Sequence, residues 1–184
     1  IDVSMISNKT NKIKAAITAV GGFVPDDFLS NRDLEKLVDT NDEWITARTG
    51  IKKRRILKKQ GKGTSYLAIN AANDLLKKKK IDPKSIDLVI LSTITPDYHV
   101  ASSAPTVASE IKAINAYAYD ISAACSGFLY GMSIATSYIE SGRYKKVLLI
   151  GADMMSSIVD YTDRSTSILF GDGAGAVLVE PSIN

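Results

Sequence analysis

One thiol leads the residues able to do covalent chemistry. Cys125 is the only cysteine and lies in YDISAACSGFLYGMSIA, flanked by Ser122, Ala123, Ala124, Ser126 and Gly127. The run AYAYDIS ahead of it reads as a strand, and apolar residues resume after it at helical spacing. A thiol at the first turn of that helix meets unpaired backbone N–H groups and the positive end of the helix dipole, and both favour a thiolate. Small neighbours let a carbonyl approach the sulfur, and the same N–H groups can hold an oxyanion. Serine occupies such strand-to-helix elbows in hydrolases. A small buried hydrophobe fits the same composition. A nucleophilic cysteine also works with a proton-handling partner. The only histidine, His99, falls in the loop TPDYHVASS, where a loop residue without chemistry is the simpler reading.

The elements that must position this thiol alternate between strand and helix. KIKAAITAVGGFVP is a strand ending in a glycine and proline turn. SNRDLEKLVD is a short helix capped by Ser30 or Asn31. TNDEWITARTG is another, capped by Thr40 or Asn41 and stopped by Gly50. IKKRRIL is strand or loop. Residues 64–80 form a helix with Leu67, Ala68, Ala71, Ala72, Leu75 and Leu76 on one buried stripe. IDLVILSTIT is apolar throughout, as in a sheet covered on both faces. A helix follows over 104–114, then the strand AYAYDIS, a helix over 125–141, the strand KKVLLIGAD, a mixed segment and the strand GAGAVLVE. The pattern is that of an α/β protein with a largely parallel sheet. Gly171, Gly173 and Gly175 alternate in FGDGAGAVLVE, but no Lys-Ser/Thr ending follows and a strand comes next. A tight turn with close packing fits better than a phosphate loop.

Composition narrows the function classes. The 184 residues carry a net charge of +3, with 45% hydrophobic and 23% charged residues. That is an ordinary globular balance, and the runs KKRR and KKKK are too short to argue for nucleic acid. A single cysteine excludes an intrachain disulfide framework and a cysteine zinc cluster, and fits a reducing compartment. No apolar run is long enough for a membrane span. Residues 1–12 are polar and are expected to be disordered or foreign to the native protein, with Met5 a candidate start.

Three segments in series resemble β-ketoacyl-acyl carrier protein synthase III. They are DTNDEWITARTGIKKRRI, DISAACSGFLYGMSIA and LLIGADMMSSIVDYTDRSTSILFGDGAGAVLVE, and the likeness runs from about Ile13 to Glu180. The resemblance implies a thiolase-like fold, in which two similar α/β halves form a layered α-β-α-β-α core with mostly parallel mixed sheets. Residues 13–184 match the N-terminal half. It implies an acyltransferase: Cys125 takes the acyl group of a short acyl-CoA, and malonyl carried on acyl carrier protein then condenses with it. By the same likeness Trp44 stacks on the CoA adenine, Arg164 lies on the adenine's other face, and Thr40 and Arg48 sit near the adenine and phosphates. No metal or redox cofactor is required. The family's C-terminal half supplies a histidine and an asparagine that this chain does not match, which leaves a catalytically incomplete half-domain with an assembly role as an alternative. Relatives of secondary metabolism keep most of these motifs. The resemblance further implies a cytoplasmic homodimer in which the loop holding Val100 reaches the partner's acyl pocket.

Overall fold

The computed structural model describes residues 13–182; the segment 1–12, expected to be disordered or foreign, lies outside the described residues. In chain order the elements are β1 (Ala15–Phe23), β2 (Phe28–Ser30), α1 (Asn31–Leu34), α2 (Asp42–Thr49), β3 (Lys53–Arg55), α3 (Thr64–Lys79), β4 (Leu88–Ser92), α4 (Ala104–Glu110), β5 (Tyr117–Ile121), α5 (Gly127–Glu140), β6 (Val147–Met154), α6 (Arg164–Ser167) and β7 (Asp172–Pro181). Five strands form one sheet in the order β1-β7-β6-β4-β5, and β2 pairs with β3 separately. β4 runs parallel to both β5 and β6, while β7 is antiparallel to β6 and β1. Four of the five strands therefore share one direction, and only β7 opposes them.

Strand periodicity builds the core. Side chains alternate across a strand, so a sheet covered on both sides needs apolar residues at every position. Val89 and Leu91 of β4, Leu148 and Ile150 of β6, and Ala176 and Leu178 of β7 face the stripe of α3 and the buried side of α4. Their neighbours Leu88, Ile90, Val147, Leu149, Val177 and Val179 face Ala135 and Ile139 of α5. The result is three layers, with α3 and α4 on one face of the sheet and α5 on the other.

Several boundaries differ from the sequence reading. The helix after the cysteine begins at Gly127, and Ala124–Ser126 form a single 3-10 turn ahead of it, so Cys125 precedes the helix instead of opening it. α4 stops at Glu110, short of residue 114, because Lys112 takes a left-handed φ of 67° that ends helical geometry. α1 is one turn, with Ser30 as its cap: the Ser30 side chain accepts from Asp33 N, and Asp33 accepts from Ser30 N. Among the described residues, no helix is long and apolar enough to cross a membrane.

Candidate active site

Cys125 is exposed and lines a cleft of about 310 Å³ with Ser92, Phe128, Asp153, Gly171 and Gly173 among its walls. The site stands where the parallel strands end. Ser92 closes β4, Ile121 closes β5 four residues before the thiol, and Asp153 lies at the end of β6. Ligands of open α/β sheets gather at such carboxyl ends. The elbow itself is sharp. Ala124 has φ +45°, a left-handed conformation that costs an L residue of order 1–3 kcal/mol and is common at functional turns. No side chain caps the start of α5; backbone carbonyls of the turn accept instead, Ala123 O from Ser126 N and Ala124 O from Gly127 N. Close approach of α5 to β4 depends on Gly127, because a Cβ there would overlap Ser92 Oγ.

Asp153 is a part of the site that sequence reasoning missed. Its Oδ1 accepts from Thr93 Oγ1 (2.9 Å), Ile94 N (2.8 Å), Thr95 N (3.2 Å) and Thr95 Oγ1 (3.0 Å). Thr64 Oγ1 donates to Thr95 O at 2.5 Å, which adds the start of α3 to the network. Asp97 accepts from Ser65 N, and Asp120 accepts from Ser103 N and Ala104 N. These carboxylates hold both ends of the 96–102 loop, from which Val100 projects fully exposed. His99 lies in that loop beside Asp120 and Ser122, in a separate cleft that does not include the cysteine. A larger cleft of about 720 Å³ lies by Lys62, Tyr66, Asp97 and Glu110 and contains neither Cys125 nor Trp44.

A second group of candidate residues converges on α2 and α6. Asn41 caps α2 by accepting from Trp44 N at 2.7 Å, and Gly50 ends the helix at φ +69°. Trp44 packs on Leu34, Ile45 and Ile168. The Arg48 guanidinium lies 4.3 Å from the Trp44 ring centre and that of Arg164 lies 4.8 Å from it, although 116–120 residues of sequence separate Arg164 from the other two. Arg164 Nη1 donates to Asp39 O at 3.1 Å. Thr40 Oγ1 is shielded from solvent without a hydrogen-bond partner, as are the hydroxyls of Tyr161 and Ser167. The structure thus gathers Trp44, Arg48 and Arg164 into one indole and guanidinium platform, with Thr40 at the foot of the same helix.

The platform rests on a buried polar pair. Arg54 is 2% exposed and Asn31 1%. Arg54 donates through Nε (2.8 Å) and Nη2 (2.5 Å) to Ile168 O, and through Nη1 to Asn31 Oδ1 (2.5 Å). Asn31 Nδ2 donates in turn to Asp42 Oδ1 (2.7 Å), Ile51 O (2.9 Å) and Thr46 Oγ1 (3.2 Å). Burial holds the Arg54 pKa below its ordinary value, and burial with nearby Asp172 pushes the Tyr161 phenol up. Asp163 caps α6; hydrogen bonds from the Ser165 side chain, from the Ser165 N–H and from Thr166 lower its carboxyl pKa. The segment after α6 joins the two regions. Gly171 packs so closely on β3 that a Cβ would lie 2.9 Å from Arg55 O, and the same glycine lines the cysteine cleft. Asp172, 4% exposed, accepts from Leu57 N, Ser156 N and Ser156 Oγ.

Comparison with known proteins shows what this chain is similar to. The profile for 3-oxoacyl-[acyl-carrier-protein (ACP)] synthase III matches residues 119–184. The chain is 54% identical over 171 residues to β-ketoacyl-[acyl-carrier-protein] synthase III 2 of Bacteroides thetaiotaomicron, covering 93% of this chain and 51% of that protein. It is 56% identical over 170 residues to the synthase III of Chlorobium chlorochromatii, covering 92% and 52%. The solved 3-oxoacyl-[acyl-carrier-protein] synthase III of Aquifex aeolicus superposes with a TM-score of 0.88 at 50% identity, over 94% of this chain and 55% of that one. The priming β-ketosynthase of the R1128 polyketide pathway also reaches 0.88, at 38% identity, over 93% and 51%. The chain spans about half the length of these relatives, and its architecture is thiolase-like. In sequence and in fold it resembles one half of the β-ketoacyl-[acyl-carrier-protein] synthase III proteins.

Proposed function

We propose that this chain is the N-terminal, nucleophile-bearing half of a condensing acyltransferase that starts fatty-acid chains. The observation that carries the reading is the exposed Cys125 thiol, set on a strained turn before the N-terminus of α5 and lining an open cleft. Its thiolate attacks the carbonyl of a short acyl-CoA. A carbon–sulfur bond forms to Cys125, the bond to the CoA sulfur breaks, and CoA leaves as a thiol after taking up a proton. Backbone N–H groups at the elbow, that of Cys125 among them, stabilise the oxyanion. Malonyl-acyl carrier protein then loses carbon dioxide, its carbanion equivalent displaces the cysteine sulfur, and a β-ketoacyl carrier protein is released.

The indole and guanidinium platform suits the adenine and phosphates of CoA, because a flat base stacks on both groups and guanidinium pairs with phosphate. In this reading Trp44 and Arg164 hold the base, and Thr40 and Arg48 lie near the base and phosphates. The histidine and asparagine that assist decarboxylation come from the other half of the full-length enzyme, which works as a cytoplasmic homodimer without metal. The synthases named for acyl carrier protein, at 54% and 56% identity, support the reading of fatty-acid initiation. The test is transfer of label from radioactive acetyl-CoA to the full-length protein. Label is expected on the native protein and lost in Cys125→Ala; label retained by the alanine variant would remove Cys125 as the acyl acceptor.

A further inference from the structure

We infer that Arg54, with Asn31, is a positioning residue that sets the CoA platform against the cysteine cleft; this rests on the CoA reading above. Three observations meet at Arg54. Its guanidinium is buried and, among the described residues, donates to a backbone carbonyl and an amide oxygen instead of a carboxylate. Holding a cation in that setting costs desolvation that a neutral apolar residue would avoid. Its contacts reach both halves of the platform. The Ile168 carbonyl follows α6, which carries Arg164, and Asn31 holds Asp42 and Thr46 of α2, which carries Trp44 and Arg48. The Arg54 stem also touches the cleft wall, because a Cβ on Gly171 would lie 3.3 Å from Arg54 Cβ.

A planar fork suits this task. Nε and Nη2 converge on one oxygen while Nη1 reaches another, so one side chain fixes both the position and the angle of α6 relative to α2. Lysine keeps the charge but has no fork. Arg54 itself touches neither sulfur nor, in this reading, CoA. It acts through the spacing it imposes on residues that do.

That role separates from general stability by choice of acyl donor. Acetyl-CoA uses the platform, whereas S-acetyl-N-acetylcysteamine carries the same thioester without the adenosine and phosphates. In the full-length protein, Arg54→Lys is expected to raise KM for acetyl-CoA about tenfold at little change in kcat, as loss of hydrogen bonds from a charged donor predicts. Acylation by the truncated thioester should stay within about twofold of the native rate. Asn31→Asp keeps an acceptor for Arg54 but loses the donor to α2, and should show the same split. Equal losses with both donors, or no loss with either, would overturn the inference. If Arg54→Lys does not fold, Thr46→Val at the rim of the network carries the test with the same expected split. Trp44→Ala is the control for the underlying reading. Should Trp44→Ala treat the two donors alike, the CoA platform itself fails. Should it separate them while the Arg54 and Asn31 variants do not, only the positioning role fails.

Discussion

Gly127 and Ser92 bring the start of α5 close against the end of β4. A methyl group on Gly127 would overlap Ser92 Oγ, whereas Ser92 Cβ would lie 3.4 Å away, an ordinary contact distance. Gly127→Ala is therefore expected to destabilise the fold by about 1–3 kcal/mol, the usual range for overpacking. Ser92→Ala in the same chain should recover most of that loss, and urea unfolding of the two single variants and the double variant measures the coupling. Additive effects would show that α5 shifts away instead of pressing on Ser92. At this scale the thiol was legible in the sequence, because its signal is local: a strand, five small residues and an apolar helix within one short run. Asp153 and Arg54 were not. Their roles depend on partners 58–60 and 23–114 residues away, and neither residue type announces a buried network.

α6 is a single turn that presents Arg164 to Trp44, and its order depends on one carboxylate. Asp163 accepts from Ser165 N at 2.8 Å and from the hydroxyls of Ser165 and Thr166. Its pKa is lowered in the folded chain from an ordinary value of 3.8. A depressed carboxyl pKa contributes stability that is fully present above the ordinary value and is lost as pH falls through the folded one. Protection of the Ser165 amide, taken relative to its intrinsic exchange rate at each pH, should therefore fall as pH drops through that window. Asp163→Asn keeps an acceptor at the cap and removes the titration, so its Ser165 exchange should lose this pH-dependent step. An unchanged step in the asparagine variant would assign the acid effect to another group. The sequence marked this region only as mixed, because one turn of helix has no periodicity to read. It located α2 closely, since Asn41 and Gly50 are the cap and stop residues that helix geometry demands.

The sheet buries residues on both faces, but α5 is not fully covered. The helix GFLYGMSIATSYIE carries one charge, at its last residue. A helix apolar on most sides is one built to be enclosed. Leu149, on the sheet face beneath it, is fully buried, while Leu129 on the helix is 68% exposed. Leu149→Ala should cost about 2–5 kcal/mol wherever it is measured. Leu129→Ala should cost little in this chain alone and markedly more in the full-length protein, where a second half in the layered core would cover α5. Equal small effects in both settings would mean that this face stays open. Alternating strands and helices, and the apolar run of β4, made the three-layer core legible from sequence. The reversal of β7 was not, because a strand's direction is set by its neighbours and leaves no mark in its own residues.

Trp44 is the only tryptophan in the chain. Selective indole excitation of these residues therefore reports from a single address, within 5 Å of the guanidinium groups of Arg48 (4.3 Å) and Arg164 (4.8 Å). This chain carries its own optical probe at the platform, with no label needed.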